Sequence, residues 1–318
     1  GHSMVTLSLL SLSLLSLLGV KGEVAPNFDN CKGSFFKNTP VSGLNIALPT
    51  PVEPNTQGLK NPAQCLSAYN ATSPAYICQR NGNHYYFATL YDRARRIPLY
   101  SAYEMDIKGD PNRPGEIVYY EPQLVHPGLT PNQMNIKGSK SEIKKYNQNN
   151  GCNESSTQYQ QKYKLGWSQA LDDNFGKYDR GHLNAAGHHG NRDAAEATMT
   201  HTNVAPQDRK MNTGPWQEYE KKLKNVLSVG CSKMYVVTGV VPSGTWVDQN
   251  QRVNVPSHYW NAYCCTDNNG KPLKSGGALG PNTAQDGVTE YNTSVTALET
   301  VLRGLLSVGN NFNIFNGC

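Results

Sequence analysis

The sequence predicts an α+β domain built on a largely antiparallel sheet, and three observations lead there. Short runs rich in tyrosine, β-branched and other apolar residues recur, at His84 to Leu90, Ile97 to Met105, Met234 to Val241 and Tyr259 to Cys264. Two other segments place apolar residues at helical spacing, one following Pro215 and one over Ser294 to Val308. Eight cysteines are scattered through the 318 residues with no C-x-x-C spacing, which suits loops stapled onto that domain.

In chain order, Gly1-His2-Ser3 reads as a cloning remnant, and the uncharged leucine–serine stretch Met4 to Val20 as a signal-peptide core. At that length it is short for a bilayer span. Cleavage after Gly22 makes residues 1–22 a processed segment, with a retained anchor as the alternative. No other segment could cross a membrane, so no stable membrane association is expected once the signal is removed. Residues 23–80 are rich in proline, asparagine and cysteine and read as a loop-rich extension, leaving 81–318 as the main domain.

Within that domain Arg95-Arg96 connects a pair of strands, and Ile117 to Tyr120 forms another short one. Residues 126–165 read as a polar, irregular excursion, whose Lys137, Lys140, Lys144 and Lys145 form a solvated face. Pro215 is placed for a first helical turn, with Trp216, Tyr219, Leu223, Val226 and Leu227 on one stripe and Gly230 ending it. The last helix carries Val295, Leu298, Leu302, Leu305 and Leu306 on one side.

The cysteines are Cys31, Cys65, Cys78, Cys152, Cys231, Cys264, Cys265 and Cys318. Behind a signal peptide they imply up to four bridges, with 105 pairings open. Cys65 and Cys78 are spaced to close a local loop, whereas the adjacent Cys264 and Cys265 must reach different partners. Sequons at Asn70, Asn153 and Asn292 fit the same compartment, so the chain is expected to be secreted and glycosylated. Recurrent tyrosine and β-branched residues exclude low-complexity disorder. A formal net charge of +5 allows a polyanionic partner without requiring one.

The chemistry concentrates between Tyr178 and Lys224. Asp179-Arg180-Gly181-His182 comes first, then Thr202-Asn203-Val204-Ala205-Pro206-Gln207, then Asn212, Gly214, Trp216 and Glu220. Phosphodiester hydrolysis needs a base for water, a cation for the developing charge and a stabilised leaving oxygen. Histidine is the natural base near neutral pH, and arginine grips phosphate oxygens in a planar fork. Asparagine and glutamate oxygens suit magnesium better than zinc. Placed at the helix start, Asn212 lies about 80° from Glu220, eight residues on, and Lys224 follows one turn later.

The stretch resembles the DNA/RNA non-specific endonuclease family, matching D-R-G-H, T-N-x-x-P-Q and N-x-G-x-W-x-x-x-E in order. Ile97 to Tyr103 is similar to the secreted animal branch, the endonuclease domain-containing 1 proteins. The resemblance implies a ββα-metal core and cleavage of DNA and RNA to 5′-phosphate and 3′-hydroxyl ends. It implies His182 as general base, Asn212 as the one protein ligand of Mg²⁺ (or Mn²⁺ in its place), and Glu220 as holder of metal-bound water. Arg180 would contact phosphate, Asp179 would shape the turn presenting His182, and Asn203 would belong to the surrounding hydrogen-bond shell. Lys224 stands where some bacterial relatives carry arginine, and Arg93, Arg95 and Arg96 are the choices for a further upstream phosphate contact.

Other readings stay open at this point. His182, His188, His189 and His201 could be imagined as a zinc cluster, although their spacing matches no zinc pattern. A binding protein on a retired nuclease scaffold and a phosphodiesterase for small nucleotides are the functional rivals.

Overall fold

The computed structural model describes residues 24–49, 73–110, 114–149, 165–285 and 287–318. Its strands are β1 (Val24–Ala25), β2 (Ala75–Asn81), β3 (His84–Asp92), β4 (Ile97–Met105), β5 (Tyr119–Tyr120), β6 (Met134–Asn135) and β7 (Asp179–His182). They continue with β8 (Val204–Gln207), β9 (Lys233–Val241), β10 (Thr245–Trp246), β11 (Asn254–Val255), β12 (His258–Thr266), β13 (Pro272–Pro281) and β14 (Thr289–Tyr291). The α-helices are α1 (Ile136–Asn149), α2 (Arg192–Ala197), α3 (Arg209–Thr213), α4 (Pro215–Lys222) and α5 (Val295–Leu306). The fold is α+β, as the sequence predicts.

Eight strands form one sheet in the order β1-β2-β3-β4-β9-β12-β13-β14. Every neighbouring pair is antiparallel. Both faces are covered, so the central strands are apolar on both sides rather than alternating with polar residues. On β12, Trp260, Ala262 and Cys264 pack with α5, the N-terminal phenylalanines and the chain's last residues. The intervening Tyr259, Tyr263 and Cys265 face the opposite layer, which carries the site. This two-residue alternation separates the adjacent cysteines: Cys264 bonds Cys318 on one face and Cys265 bonds Cys231 on the other.

Several expectations need correction. Cys78 pairs with Cys31, not Cys65, because β2 lies in the sheet beside β3 and turns its cysteine toward the N-terminal segment. The stretch to residue 80 therefore contributes two strands as well as loops. Part of the supposed irregular excursion is the helix α1, whose buried side is Ser139, Ile143 and Asn147. Its lysines are exposed or half-buried, in keeping with a solvated face. On α5, Leu305 is exposed, while Val295, Leu298, Leu302 and Leu306 are buried. Cys65, Cys152, Asn70, Asn153 and the signal segment fall outside the described residues, and Asn292 is exposed just before α5. Among the described residues no helix is long and apolar enough to cross a membrane.

Candidate active site

The Asp179–His182 segment is a strand, not a turn. β7 pairs antiparallel with β8, His182 opposite Val204 and Gly181 opposite Ala205, and the chain then runs into α3 and α4. Two strands and a helix thus carry the motifs in sequence order. Gly181 is required by the space behind it. A Cβ there would lie 2.2 Å from Gln207 Oε1 and 2.8 Å from the Tyr259 hydroxyl oxygen, both in the buried layer beneath.

The expected single helix is broken. Asp208 caps α3 by accepting from the Lys210 and Met211 amides. Gly214, at φ −112° and ψ −111°, then ends α3, and Pro215 opens α4. Asn212 therefore sits in the last turn of α3 and does not cap α4. After Lys222 the helix widens into a π turn, Leu223–Leu227. The extra residue shifts the phase, so Trp216, Tyr219 and Leu223 stay buried while Val226 swings out to solvent.

Asp179 joins these parts. Its Oδ2 accepts from Asn212 Nδ2 at 3.1 Å, and its Oδ1 from Arg209 Nε at 2.9 Å. An ionised carboxylate can only accept, so the amide must face it with nitrogen. The Asn212 oxygen is the end left for another ligand, and it takes no hydrogen bond among the described residues. Asp179 thus orients the Asn212 amide, a role the sequence does not disclose. An amide oxygen is a hard donor of the kind a divalent cation takes, so Asn212 would be the residue to hold one here. Among the described residues no three His, Cys, Asp or Glu side chains gather to hold a metal ion.

Asn203 is fully buried and its amide is saturated. It donates to the carbonyls of Asn184 and Thr198, and accepts from the Asn184 amide and the Ser101 hydroxyl, each at 3.0 Å. Its own carbonyl accepts from the Leu183 amide at 2.9 Å. The residues following His182 are thereby pinned to β4. Beyond Ser101 the buried chain continues through Thr89 to Gln79, at 2.8 and 3.0 Å.

Glu220 is half-buried on α4, and its charge helps raise the pKa of Tyr103 and Tyr259, behind the larger effect of burial. Tyr259 in turn donates to the Ala205 carbonyl at 2.8 Å, so Glu220 lies near the β7–β8 pair. The Glu220 backbone carbonyl accepts from His188 Nε2 at 2.9 Å. That fixes the tautomer, leaving Nδ1 to accept from the Tyr103 hydroxyl at 2.7 Å. His189 donates Nε2 to the Asn184 amide oxygen at 2.7 Å. Burial pushes His188 down to about 4 and His189 to about 3, so both are neutral at physiological pH. With these bonds and His201 held by the Tyr119 carbonyl at 2.8 Å, the four histidines do not form a zinc cluster. Lys224 lies in the π turn with its Nζ buried, and its pKa is lowered by burial against the pull of Asp106 and Asp110.

Arg180 is partly exposed and forms an ion pair with Asp172 at 2.9 Å. The upstream arginines are scaffold instead. Arg96 is buried and donates to the Trp167 and Arg252 carbonyls, Arg95 pairs with Asp92, and Arg93 bonds Ser73.

The strand that ends in His182 carries Asp179, whose carboxylate holds the helix-borne Asn212 and Arg209, an arrangement that suits a nuclease. The chain belongs to the DNA/RNA non-specific endonuclease family, whose sequence model matches residues 67–315. The human Endonuclease domain-containing 1 protein is 27% identical over 263 residues, which are 80% of this chain and 43% of that protein. The chain thus spans less than half the length of this relative. A chain from the crystal structure of the EndoG/EndoGI complex superposes with a TM-score of 0.46 at 15% identity, covering 81% of this chain and 93% of its own.

Proposed function

We propose that this chain is a secreted endonuclease that hydrolyses DNA and RNA with little base preference, using His182 as base and a divalent cation on Asn212. The carrying observation is the Asn212–Asp179 bond, which turns an amide oxygen outward from the anchor of the strand bearing His182. His182 takes a proton from the attacking water. Arg180 meets a phosphate oxygen, and the Glu220 carboxylate accepts hydrogen bonds from water in the site. The water oxygen attacks phosphorus, the bond to the 3′ oxygen breaks and that oxygen takes a proton from solvent water, giving 5′-phosphate and 3′-hydroxyl ends. Mg²⁺, or Mn²⁺ in its place, would supply positive charge for the crowded phosphoryl oxygens and the leaving oxygen. Because these groups address the phosphate, DNA and RNA are both accepted. Three disulfides among the described residues favour an oxidising compartment, in keeping with export.

Asn212→Ala tests the assignment. The variant should keep its fold by circular dichroism and thermal melting but lose metal-dependent cutting. Wild-type turnover with an unchanged metal requirement would remove Asn212 from the site.

A further inference from the structure

The strand pair bearing His182 and the helix bearing Asn212 meet at one short junction, Pro206 to Asp208, where β8 passes into α3. β8 is paired with β7, so the direction the chain takes through this junction sets how far the histidine stands from the Asn212 amide. α3 is only five residues long, too short to hold its own place without outside contacts. The Asp179 carboxylate supplies one hold, through Arg209 and Asn212. The other comes from a residue that no motif contains.

That residue is Asn282, which follows β13 and stands 74 residues beyond Asp208 in the chain. Its Oδ1 accepts from the Asp208 amide at 2.8 Å. Its Nδ2 donates to the Pro206 carbonyl at 3.0 Å and to the Pro256 carbonyl at 2.9 Å. Its backbone amide donates to the Ser257 carbonyl at 2.9 Å. A side-chain amide carries acceptor and donors at a single tip, so one group can bracket a bend. Pro206 and Asp208 flank the fully buried Gln207, and Asn282 takes hold of the chain on both sides of it. Pro256 and Ser257 give the bracket a firm base, because they lead into β12 inside the eight-stranded sheet.

From there the line runs on to both motifs. Asp208 caps α3 by accepting from the Lys210 and Met211 amides, and its backbone carbonyl accepts from the Asn212 amide at 2.9 Å. Asn212 therefore hangs from Asp208, and Asp208 from Asn282. On the other side, Pro206 stands opposite Arg180 in the β7–β8 ladder, two places from the His182–Val204 pair.

We propose, resting on the nuclease reading, that Asn282 is a positioning residue for the reaction. It fixes the angle between β8 and α3, and with it the separation of His182 from the Asn212 oxygen. It touches neither the phosphate nor the cation, so its loss disturbs their alignment while leaving the grip on the polymer intact.

The test uses the full disulfide-bonded protein carrying Asn282→Ala. Glu299→Ala, on α5 across the sheet, serves as a destabilising control. Hydrogen exchange at the Lys210, Met211 and Asn212 amides should quicken about ten-fold beyond any change in β9 and β12, the worth of about one net hydrogen bond. Mn²⁺ binding, followed by electron paramagnetic resonance, should weaken about ten-fold, the low end for a lost partner behind a metal ligand. In Mg²⁺, kcat should fall about ten-fold or more, with KM for a labelled oligonucleotide within about two-fold. The control should show none of these local effects. Asn282→Ser, which keeps one acceptor, should give smaller shifts of the same kind and carries the test if the alanine variant does not fold. Exchange that rises equally in α3 and the sheet overturns the proposal, as do kcat and Mn²⁺ affinity within about two-fold of wild type. If wild type neither cuts nor binds Mn²⁺, the nuclease reading falls. Exchange quickened in α3 alone then still supports Asn282 as the hold on that helix, and exchange spread through the sheet overturns it.

Discussion

Lowering the pH from 7 to 5 should remove about 4 kcal/mol of folding stability, through two histidines that support the site from behind. His188 and His189 are both buried, and burial is the largest cause of their depressed values, about 4 and about 3. A histidine whose folded pKa lies below its unfolded value stabilises fully at high pH. That contribution fades as pH drops below the unfolded value of about 6.5, until the folded value is reached. At pH 5 the unfolded chain binds both protons and the folded chain binds neither. The gap of 1.5 pH units below 6.5 is worth about 2 kcal/mol for each residue. Because neither ring is protonated in the fold at that pH, their mutual repulsion does not enter. His126, His201 and His258 are also lowered, chiefly by burial, and act in the same direction. Asp92 and Glu299, raised by burial, pull the other way nearer the carboxylate range. Urea unfolding of the oxidised protein at the two pH values measures the difference. A loss under about 1 kcal/mol would refute the reasoning, as would His188 or His189 ring resonances that titrate near pH 6.5 in the folded protein.

Three further outcomes follow from the geometry. Gly181→Ala should cost about 1–3 kcal/mol by overpacking against Gln207 and Tyr259, and cut activity at least ten-fold; an unchanged melting temperature would contradict it. Asp179→Asn should raise the Mg²⁺ concentration for half-maximal activity about 10- to 100-fold, as loss of a ligand-orienting partner does, with saturating Mg²⁺ restoring much of the rate. Replacing both Cys231 and Cys265 by Ala opens a link across 34 residues and should cost about 3–4 kcal/mol in denaturant unfolding.

Much of the fold was legible because its central strands are short, apolar and rich in β-branched or aromatic residues. β3, β4, β9 and β12 all read that way. β13 did not, since Pro-Leu-Lys-Ser-Gly-Gly-Ala-Leu-Gly-Pro has no apolar alternation and its glycines look like turns. α1 hid because its buried stripe is two polar residues around Ile143. The π turn hid because one extra residue per turn leaves no mark on composition, and it moved Val226 out of the stripe that helical spacing drew.

The site divided along the same line. His182, Asn212 and Glu220 stand in motifs and could be read directly. The contact that orients Asn212 joins residues 33 apart, and no local pattern reports it. Asn203 could be named from its motif, but its four amide bonds depend on β4 and on residues 184 and 198 meeting around it. Arg209 had no signal beyond its place between Gln207 and Asn212, whereas the eye-catching Arg93, Arg95 and Arg96 are occupied by the scaffold.

Digestion of plasmid DNA and of structured RNA by the purified protein tests the central claim most directly. It should be run with Mg²⁺, with excess chelator and with His182→Ala in parallel. Magnesium-dependent cutting of both polymers, abolished by chelator and by the substitution, is the predicted result. Folded protein that cuts neither polymer across several metals and pH values, or a His182→Ala variant that cuts as well as wild type, would contradict it.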